Sequence, residues 1–389
     1  MIYFTAHPEF NGFPFDLTML LVIIFHPFPS INVMYPIIKP LLFRLDPETA
    51  HYLTLKSLQW LHRYHCGFLL GCKPSFSFMQ KNTNGIFPKN NINNTTTLMG
   101  LTLPNPVGLA AGLDKNGEYI DALAMLGFGF IEVGTVTPLP QAGNPKPRLF
   151  RLPKQQAIIN RMGFNNYGID TLINNIANSR YRGILGINIG KNAATPIEKA
   201  VDDYLICLEK AYPHASYVTV NISSPNTRDL RSLQSAGELD RLLNHLKNRQ
   251  AQLATQQSRY VPIAIKIAPD LDEEQIEAIA EVALNTQIDG IIATNTTIDK
   301  TALGTHKFAQ ETGGLSGHPV QTQSNYVLNQ LSAHINSQIP LIGVGGITTG
   351  ANATEKIRLG ATAIQLYSGL IFRGPQLVAE CIKSCSQLK

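Results

Sequence analysis

The stretch that decides the fold is YVTVNISSPNT, residues 217–227. It begins with four aromatic or β-branched residues, which are typical of a buried strand, and continues with two asparagines, two serines and a proline. Either this polar cluster is a turn, because Asn, Ser and Pro terminate strands for local backbone reasons, or it belongs to an active site. The remainder of the chain is needed to separate these two interpretations.

Seven more apolar runs of the same kind lie between residue 98 and the C-terminus, and helical patterns fill most of the intervals. The eight runs lie at residues 107–111, 130–134, 184–189, 217–222, 262–267, 290–294, 340–344 and 363–366. Short hydrophobic runs that alternate with helices are typical of buried parallel strands. The pattern therefore predicts an α/β fold, a (β/α)8 TIM barrel. A doubly wound open sheet is the alternative, but no GxGxxG motif follows an early strand.

Four segments are expected along the chain. Residues 1–33 contain no Lys or Arg, so they match neither a secretory signal nor a transit peptide, and a start-site artefact is favoured over a dispensable tail. Residues 34–72 have a helical pattern, and residues 73–97 are rich in Asn, Thr, Lys and Pro, as in a linker. Residues 98–389 are expected to form the barrel.

The pattern of residues 34–72 predicts a small N-terminal domain of two helices. Asp46 is the expected N-cap of the second helix, with Pro47 at its first position. After this cap, Ala50, Leu53 and Trp60 are expected to share one apolar face. The two helices either cap the barrel or form an amphipathic platform that lies on a membrane, and the pattern alone leaves both open.

The composition of the chain excludes several classes of protein. With 44% hydrophobic and 15% charged residues among 389, the chain is globular. Its net charge of +5 is not gathered into a Lys/Arg run, so no nucleic-acid partner is expected. The five cysteines form no CxxC pair and no zinc-like spacing with histidine. They are therefore expected to be reduced thiols in a cytosolic compartment, with no metal site.

Polar side chains follow the predicted strands at the points where they end. In a barrel the loops after the strands converge on the mouth, where active sites lie. Six successive strands end in amide, hydroxyl or ammonium groups: Lys115, Thr135, Asn188, Asn221, Ser224, Asn226, Lys266, Thr294, Asn295 and Thr296. This coincidence favours the active-site interpretation of residues 221–227. The two lysines predict an electropositive, donor-rich pocket for an anionic, flat ligand.

Glycines cluster after the last two predicted strands, in the motifs GVGGI and YSG. They include Gly345 and Gly346, and a helix is expected to open shortly afterwards in TTGANATEKI. Glycine lets a backbone approach a ligand closely, and the loops after the seventh and eighth strands of barrels commonly bind phosphate at helix N-termini. The pocket is therefore predicted to take a phosphorylated ligand.

Eight motifs, in chain order, resemble the dihydroorotate dehydrogenase family across residues 98–380. They are VGLAAGLDKNG, EVGTVTP, NRMGFNN, NISSPNT, ATNTT, GGLSG, GVGGI and YSGLIFRGP. LFRLDPETAH, residues 42–51, resembles the N-terminal region of the quinone-dependent, membrane-associated class 2 branch. The resemblance implies oxidation of (S)-dihydroorotate to orotate in pyrimidine (UMP) biosynthesis, with one FMN per chain as hydride acceptor and a membrane quinone as final acceptor. It also implies a monomer that binds the cytoplasmic face of the bacterial inner membrane as a peripheral protein, through its N-terminal helices.

The same resemblance implies roles for individual residues. Ser224 matches the catalytic base, and a serine here favours class 2, because the soluble class 1 branch has a cysteine. Since a free hydroxyl is a poor base, Ser224 needs a relay, for which Thr227 is a candidate. The positions that match substrate contacts are Lys115, Asn160, Arg161, Met162, Gly163, Phe164, Asn221, Asn226, Asn295 and Thr296. The positions that match flavin contacts are Ala111, Gly112, Leu113, Asp114, Lys115, Thr135, Asn188, Asn221, Lys266, Thr294, Gly317, Gly346, Tyr367 and Ser368.

Two alternative functions stay open. One is a soluble oxidoreductase that acts on dihydroorotate or another dihydropyrimidine and uses fumarate or NAD as its acceptor. The other is a phosphosugar lyase or isomerase barrel in which Lys115 or Lys266 forms a Schiff base with the substrate. The visible absorption of a flavin separates an oxidoreductase from the lyase.

Overall fold

The computed structural model of the protein describes residues 34–70 and 95–388. The predicted extension at residues 1–33 and most of the predicted linker lie outside these ranges. The strands of the described residues, in chain order, are β1 (Thr96–Leu98), β2 (Leu101–Leu103), β3 (Val107–Leu109), β4 (Phe130–Val136), β5 (Leu149–Leu152), β6 (Ala157–Asn160), β7 (Ile184–Ile189), β8 (Tyr217–Asn221), β9 (Ile263–Ile267), β10 (Gly290–Ala293), β11 (Gly314–Gly317), β12 (Leu341–Val344) and β13 (Ala361–Leu366).

Eight of these strands form a closed parallel barrel in the order β3-β4-β7-β8-β9-β10-β12-β13. The last strand pairs with the first, with Ile364 opposite Val107, and this pairing closes the barrel. All eight predicted apolar runs are barrel strands, so the predicted (β/α)8 fold is confirmed. The carboxyl ends of all eight strands consequently meet at one rim, where the predicted site residues lie.

The helices, in chain order, surround the barrel or precede it. They are α1 (Met34–Leu42), α2 (Pro47–Arg63), α3 (Ile120–Ala124), α4 (Ile169–Asn178), α5 (Ala200–Ala211), α6 (Ala236–Gln257), α7 (Glu273–Asn285), α8 (Gln321–Ile335), α9 (Gly350–Arg358), α10 (Ser368–Arg373) and α11 (Gln376–Ser386). Local sequence explains several starts. A capping box joins Asp272 to Gln275 at α7, and Asp46 accepts the N–H groups of Glu48 and Thr49 at α2, which confirms the predicted cap.

Two small sheets were not predicted. The hairpin of β1 and β2 begins at Thr96, inside the predicted linker, and its buried Leu98 and Leu103 pack with Phe130 and Tyr217 at the amino ends of the barrel strands. The hairpin therefore closes the end of the barrel opposite the predicted site. The second sheet has the antiparallel order β11-β6-β5 and arises from the loops after β4 and β10, so it stands on the same side as the mouth.

The N-terminal helices dock against the barrel through charged side chains. Arg148 donates to both carboxylate oxygens of Glu48 in α2, at 2.9 and 3.0 Å, and Arg151 donates to the backbone carbonyls at the end of α1. Tyr35 and Lys39 of α1 donate to the backbone carbonyls of residues 371–372 at the end of α10. Two helices thus form in the predicted N-terminal segment, and they are fastened to the barrel.

The apolar side chains of α2 lie on two faces rather than the one expected. Ala50 and Leu55 are buried against the barrel, whereas Leu53 and Trp60 are exposed. The cause is simple: among the described residues, one side of the helix packs against the barrel, and its remaining apolar residues continue around the helix. Exposed Ile37 and other apolar side chains of α1 extend this uncovered surface. Among the described residues, no helix is both long and apolar enough to cross a membrane.

Candidate active site

A cavity of about 710 Å³ opens at the carboxyl ends of the barrel strands. Its walls contain nearly every residue predicted for the site. The predicted residues that line it are Ala111, Gly112, Leu113, Asp114, Lys115, Thr135, Asn160, Met162, Gly163, Phe164, Asn221, Ser224, Asn226, Lys266, Thr294, Asn295, Thr296, Gly317, Gly346, Tyr367 and Ser368. Arg161 does not line it, because its guanidinium pairs with Glu311 at 2.6 Å and lies over the ring of Phe150. Asn188 lies just behind the wall.

A chain of side-chain amides crosses the floor of the cavity. The Thr135 hydroxyl donates to Oδ1 of Asn188 at 2.5 Å, and Nδ2 of Asn221 donates to Thr135 Oγ1 at 3.0 Å. Nδ2 of Asn295 in turn donates to Asn221 Oδ1 at 3.3 Å and to the Ser223 hydroxyl at 3.0 Å. Because each member is fixed by the next, the network holds its polar atoms ready for a ligand instead of leaving them to rotate.

A buried carboxylate, Glu132, orients this network from below. It stands in the middle of β4 with no exposed surface and accepts hydrogen bonds from Asn188 Nδ2, Tyr217, Thr219 and Gln365 Nε2, at 2.8–3.1 Å. Its bond to Nδ2 of Asn188 leaves Oδ1 of that amide facing Thr135. Sequence reasoning missed Glu132, although a charge inside an apolar strand run was a visible signal.

The two predicted lysines line the cavity, where Lys266 is buried and Lys115 is half-buried. Burial lowers the pKa of Lys115 to about 8, with Arg148 adding to the effect, and its Nζ donates to Asn165 Oδ1 at 2.9 Å. Burial also lowers the pKa of Lys266, while the Glu132 carboxylate opposes that shift. Within the described part of the chain, Nζ of Lys266 has no hydrogen-bond partner. An anionic group in the cavity would complete its surroundings.

Asp114 lines the cavity, but its carboxylate has a structural role. It accepts the backbone N–H groups of Glu118 and Tyr119 at 3.0 and 2.7 Å, which holds the loop after β3 in a turn. Burial nevertheless raises the pKa of this carboxyl to about 6. Asp114 therefore shapes the loop that carries Lys115.

Ser224 is buried at the beginning of the loop that follows β8. Its hydroxyl accepts the backbone N–H of Asn226 at 3.2 Å, and Nδ2 of Asn226 donates to Asn160 Oδ1 at 3.3 Å. The hydroxyls of Thr227 and Thr296 are buried without a hydrogen-bond partner among the described residues. Buried hydroxyls of this kind are uncommon in folded proteins, and Thr227 stands in the same loop as Ser224.

The glycines after β12 form a cradle in the opposite wall. Gly345 and Gly346 have φ of +111° and +75°, and a Cβ on Gly346 would overlap the backbone of Gln321. The predicted helix after them does form as α9, but its first N–H, on Gly350, donates to the Glu380 carboxylate at 2.7 Å. The cavity wall is instead completed by Ser368, whose Oγ lies 2.8 Å from Ser316 Oγ of β11.

Comparison with known proteins identifies the family. A family model described as dihydroorotate dehydrogenase matches residues 94–388. The chain belongs to the dihydroorotate dehydrogenase family. A Neisseria meningitidis protein named dihydroorotate dehydrogenase (quinone) is 61% identical over 355 residues, which cover 91% of this chain and 100% of that protein. A protein of the same name from Chromobacterium violaceum is 56% identical, over 91% of this chain and 98% of the relative.

A solved structure supports the same assignment at the level of the fold. The dihydroorotate dehydrogenase (DHODH) of Eimeria tenella in complex with ferulenol has a TM-score of 0.75 and 35% sequence identity, over 87% of this chain and 90% of that one. Dihydroorotate dehydrogenases are in general flavin-dependent. The cavity fits such a group on its own evidence: Gln365 Oε1 is buried without a partner among the described residues, and Lys266 lines the same cavity. A ligand with both an N–H donor and an anionic group would satisfy the amide oxygen and the ammonium.

Replacing Gly346 by alanine should empty the flavin site. The added methyl group would meet the backbone of Gln321 and would stand at a positive φ, so the cradle must shift. We expect purified Gly346→Ala to lose most of its flavin, measured as the ratio of visible to ultraviolet protein absorbance. Gly237→Ala is the matched control, because nothing lies within 4 Å of the added atom. Equal flavin content in both variants would remove the cradle from the site.

Proposed function

We propose that the protein oxidises (S)-dihydroorotate to orotate in de novo pyrimidine biosynthesis, with FMN as hydride acceptor and a membrane quinone as final acceptor. The observation that carries this proposal is the convergence of Ser224, two lysines and the amide network on one cavity. A bound flavin would supply the hydride acceptor. Class 2 relatives that are 61% identical and carry quinone in their names support the same reaction.

The amide side chains are suited to recognise the substrate. Dihydroorotate presents ring amides and a carboxylate, and Asn160, Asn226 and Asn295 offer both donors and acceptors at the cavity wall. A site that is built to hydrogen-bond such groups rejects analogues that lack them, because its own buried polar atoms would then be unpaired. The Lys115 ammonium adds a positive charge for the carboxylate.

Ser224 is proposed to take the proton that leaves the substrate ring. A hydroxyl is hardly ionised near neutral pH, so the proton must pass on through a neighbouring group. The Thr227 hydroxyl is our candidate for this relay, because it lies in the same loop as Ser224 and is buried without a hydrogen-bond partner among the described residues. Lys266 is proposed to stabilise the negative charge that develops at the flavin N1/O2 edge.

The cavity also reaches the N-terminal helices, which supports a path for quinone. Its far wall is lined by Glu48, Thr49, His51, Tyr52 and Leu55 of α2. Burial lowers the pKa of His51 to about 4, so this wall presents a neutral imidazole at physiological pH. A lipid-soluble acceptor could approach the flavin between α2 and the barrel without crossing bulk water.

The choice of acceptor separates this proposal from its rivals. We expect the purified protein to be yellow and to produce orotate from dihydroorotate when a quinone is supplied, but not when fumarate or NAD is supplied. A yellow protein that prefers fumarate or NAD would indicate the soluble oxidoreductase. A colourless protein that borohydride inactivates in the presence of a phosphosugar would indicate the Schiff-base lyase, since lysines of lowered pKa suit that chemistry as well.

Substitution of Ser224 by alanine should slow the first half-reaction. We expect flavin reduction by dihydroorotate in stopped flow to fall by about 10²–10⁴-fold, the usual contribution of a general base, while FMN stays bound. Ser232→Ala is the matched control, because Ser232 is exposed a few residues further on and its hydroxyl donates to the Asp229 carbonyl. A Ser224→Ala rate equal to that of the control would refute the assignment.

The exposed apolar surface of α1 and α2 is proposed to lie on the cytoplasmic face of the bacterial inner membrane. Ile37 and Leu41 are about half exposed, at 50% and 52%, and Trp60 and Tyr64 extend the same surface at 43% and 56%. Apolar side chains of this size are rarely left in water in such a group. Arg44 is exposed just after α1, where it could meet anionic headgroups, whereas the Lys39 ammonium donates to the Phe372 carbonyl. The protein is proposed to act there as a monomer.

The paired substitution Ile37→Glu and Leu41→Glu should release the protein from lipid. We expect the variant to lose flotation with anionic vesicles and turnover with long-chain quinone, whereas dihydroorotate still reduces its flavin at the normal rate. The pair Gln256→Glu and Gln257→Glu in α6 adds the same charge at exposed positions and serves as the control.

Truncation provides a second test of whether this surface binds the membrane. Deleting residues 1–33 should change little, and deleting residues 1–72 should abolish both flotation and turnover with long-chain quinone while the barrel keeps FMN. Full activity of the longer truncation with quinone in vesicles would make the helices a structural cap only.

A further inference from the structure

A single guanidinium, that of Arg231, joins the loops that follow three consecutive barrel strands. Arg231 lies in the 3-10 helix Leu230–Gln234, just after the loop that carries Ser224. Its Nε donates to the Ser223 carbonyl at 3.1 Å, one terminal nitrogen donates to Asp270 Oδ2 at 2.7 Å, and the other donates to the Thr296 carbonyl at 2.9 Å. These three acceptors stand after β8, β9 and β10, respectively.

The partners of Arg231 are themselves held in place. Asp270 accepts the Thr297 hydroxyl and the backbone N–H of Ile298 as well, so the ion pair fastens the loop after β10 twice. The side chains of Arg231 and Asp270 are only 21% and 15% exposed. Charge-assisted hydrogen bonds that are shielded from solvent are the stronger kind, and a planar fork fixes their directions as well as their strength.

The residues beside these contacts are those of the candidate active site. Ser223 precedes Ser224, and Thr296 both lines the cavity and follows Asn295. The Ser224 hydroxyl itself makes one hydrogen bond among the described residues, to the N–H of Asn226 within its own loop. Nothing in that bond ties the loop to the barrel. The position of the hydroxyl therefore depends on how the backbone at residue 223 is held.

The remaining ties of this loop join neutral groups, and Nδ2 of Asn295 reaches the Ser223 hydroxyl at 3.0 Å. Asn144 Nδ2 reaches the Asn226 carbonyl at 3.4 Å, and Asn226 Nδ2 reaches Asn160 at 3.3 Å. Both are long bonds between neutral groups. In contrast, Arg228 on the same loop has a side chain that is 93% exposed, so the middle of the loop projects into solvent. The loop is thus open at its tip and anchored at its base.

We infer that Arg231 is a positioning residue that sets the distance between the Ser224 hydroxyl and the substrate held by Asn295 and Thr296. Its guanidinium donates to the backbone carbonyls of Ser223 and Thr296, on either side of the substrate position, and pairs with the Asp270 carboxylate. Its side chain does not line the cavity, so its effect should appear in the rate of proton removal and not in flavin binding. The inference rests on the proposed role of Ser224.

Two substitutions of Arg231 separate positioning from charge. Arg231→Gln should slow flavin reduction by dihydroorotate by about 10–100-fold, since misplacement of a reacting group by about 1 Å costs up to about 10²-fold. Its flavin content should equal that of the wild type. Arg231→Lys keeps the charge but has no fork, so it should recover only part of the rate. Arg249→Gln, which removes an ion pair with Glu209 in α5, is the matched control.

A measurement that does not depend on activity follows from the exposed Arg228. In the full-length, flavin-loaded protein, trypsin cleavage after Arg228 reports how often the loop leaves the barrel, and mass spectrometry identifies the cut. We expect faster cleavage at Arg228 in Arg231→Gln than in the wild type or in Arg249→Gln. Orotate, as a product at the site, should protect the wild type more strongly than the variant.

The rates of flavin reduction and of cleavage at Arg228 together test whether Arg231 positions the loop. Wild-type rates of both flavin reduction and cleavage in Arg231→Gln would overturn the inference, as would full recovery of the rate in Arg231→Lys. If Arg231→Gln does not fold, Asp270→Asn tests the same clamp, because its amide oxygen can still accept from Thr297 while the ion pair is lost. If the wild type does not oxidise dihydroorotate, the proposed function fails, and the cleavage assay still tests the clamp.

Discussion

Closure of the barrel by the pairing of β13 with β3 is the constraint on which the rest of the structure depends. Parallel strands in a closed ring all end at the same rim, so residues that are far apart in the chain are forced into one cavity. Lys115, Ser224 and Lys266 meet there for this reason alone. The hairpin of β1 and β2 covers the other end of the barrel, so among the described residues the cavity opens at the carboxyl ends of the strands.

The interior below that mouth is unusually polar for a protein core. A fully buried carboxylate at Glu132 is tolerated because four side-chain donors surround it, and one of them, Asn188, carries the arrangement up to the cavity floor. Burying a charge is costly unless it is fully hydrogen-bonded, so the network cannot lose a member without disturbing the others. The same carboxylate also offsets the effect of burial on the Lys266 ammonium.

Local patterns in the sequence were sufficient for the barrel strands and for the residues at their ends. Hydrophobic runs identified all eight barrel strands, and Asp46 with Pro47 identified the start of α2. The second sheet and the Arg231 clamp could not be predicted in this way, since β11 and β6 are about 150 residues apart and a guanidinium that bonds three loops leaves no periodic signal. The division of the apolar residues of α2 between a buried and an exposed face was also missed, because it depends on which side of the helix the barrel contacts.

Helix α10 contacts both the cavity and the N-terminal helix α1. Its first residue, Ser368, lines the cavity, and its last carbonyls accept hydrogen bonds from Tyr35 and Lys39 of α1. The two contacts are only three to four residues apart on this six-residue helix. Thermodynamic linkage then makes the relation reciprocal: any free energy by which a ligand at Ser368 favours one placement of α10 is felt equally in the docking of α1. A ligand that shifted α10 would therefore change the affinity of the barrel for α1, and a membrane that held α1 would change the affinity of the cavity for that ligand by the same factor.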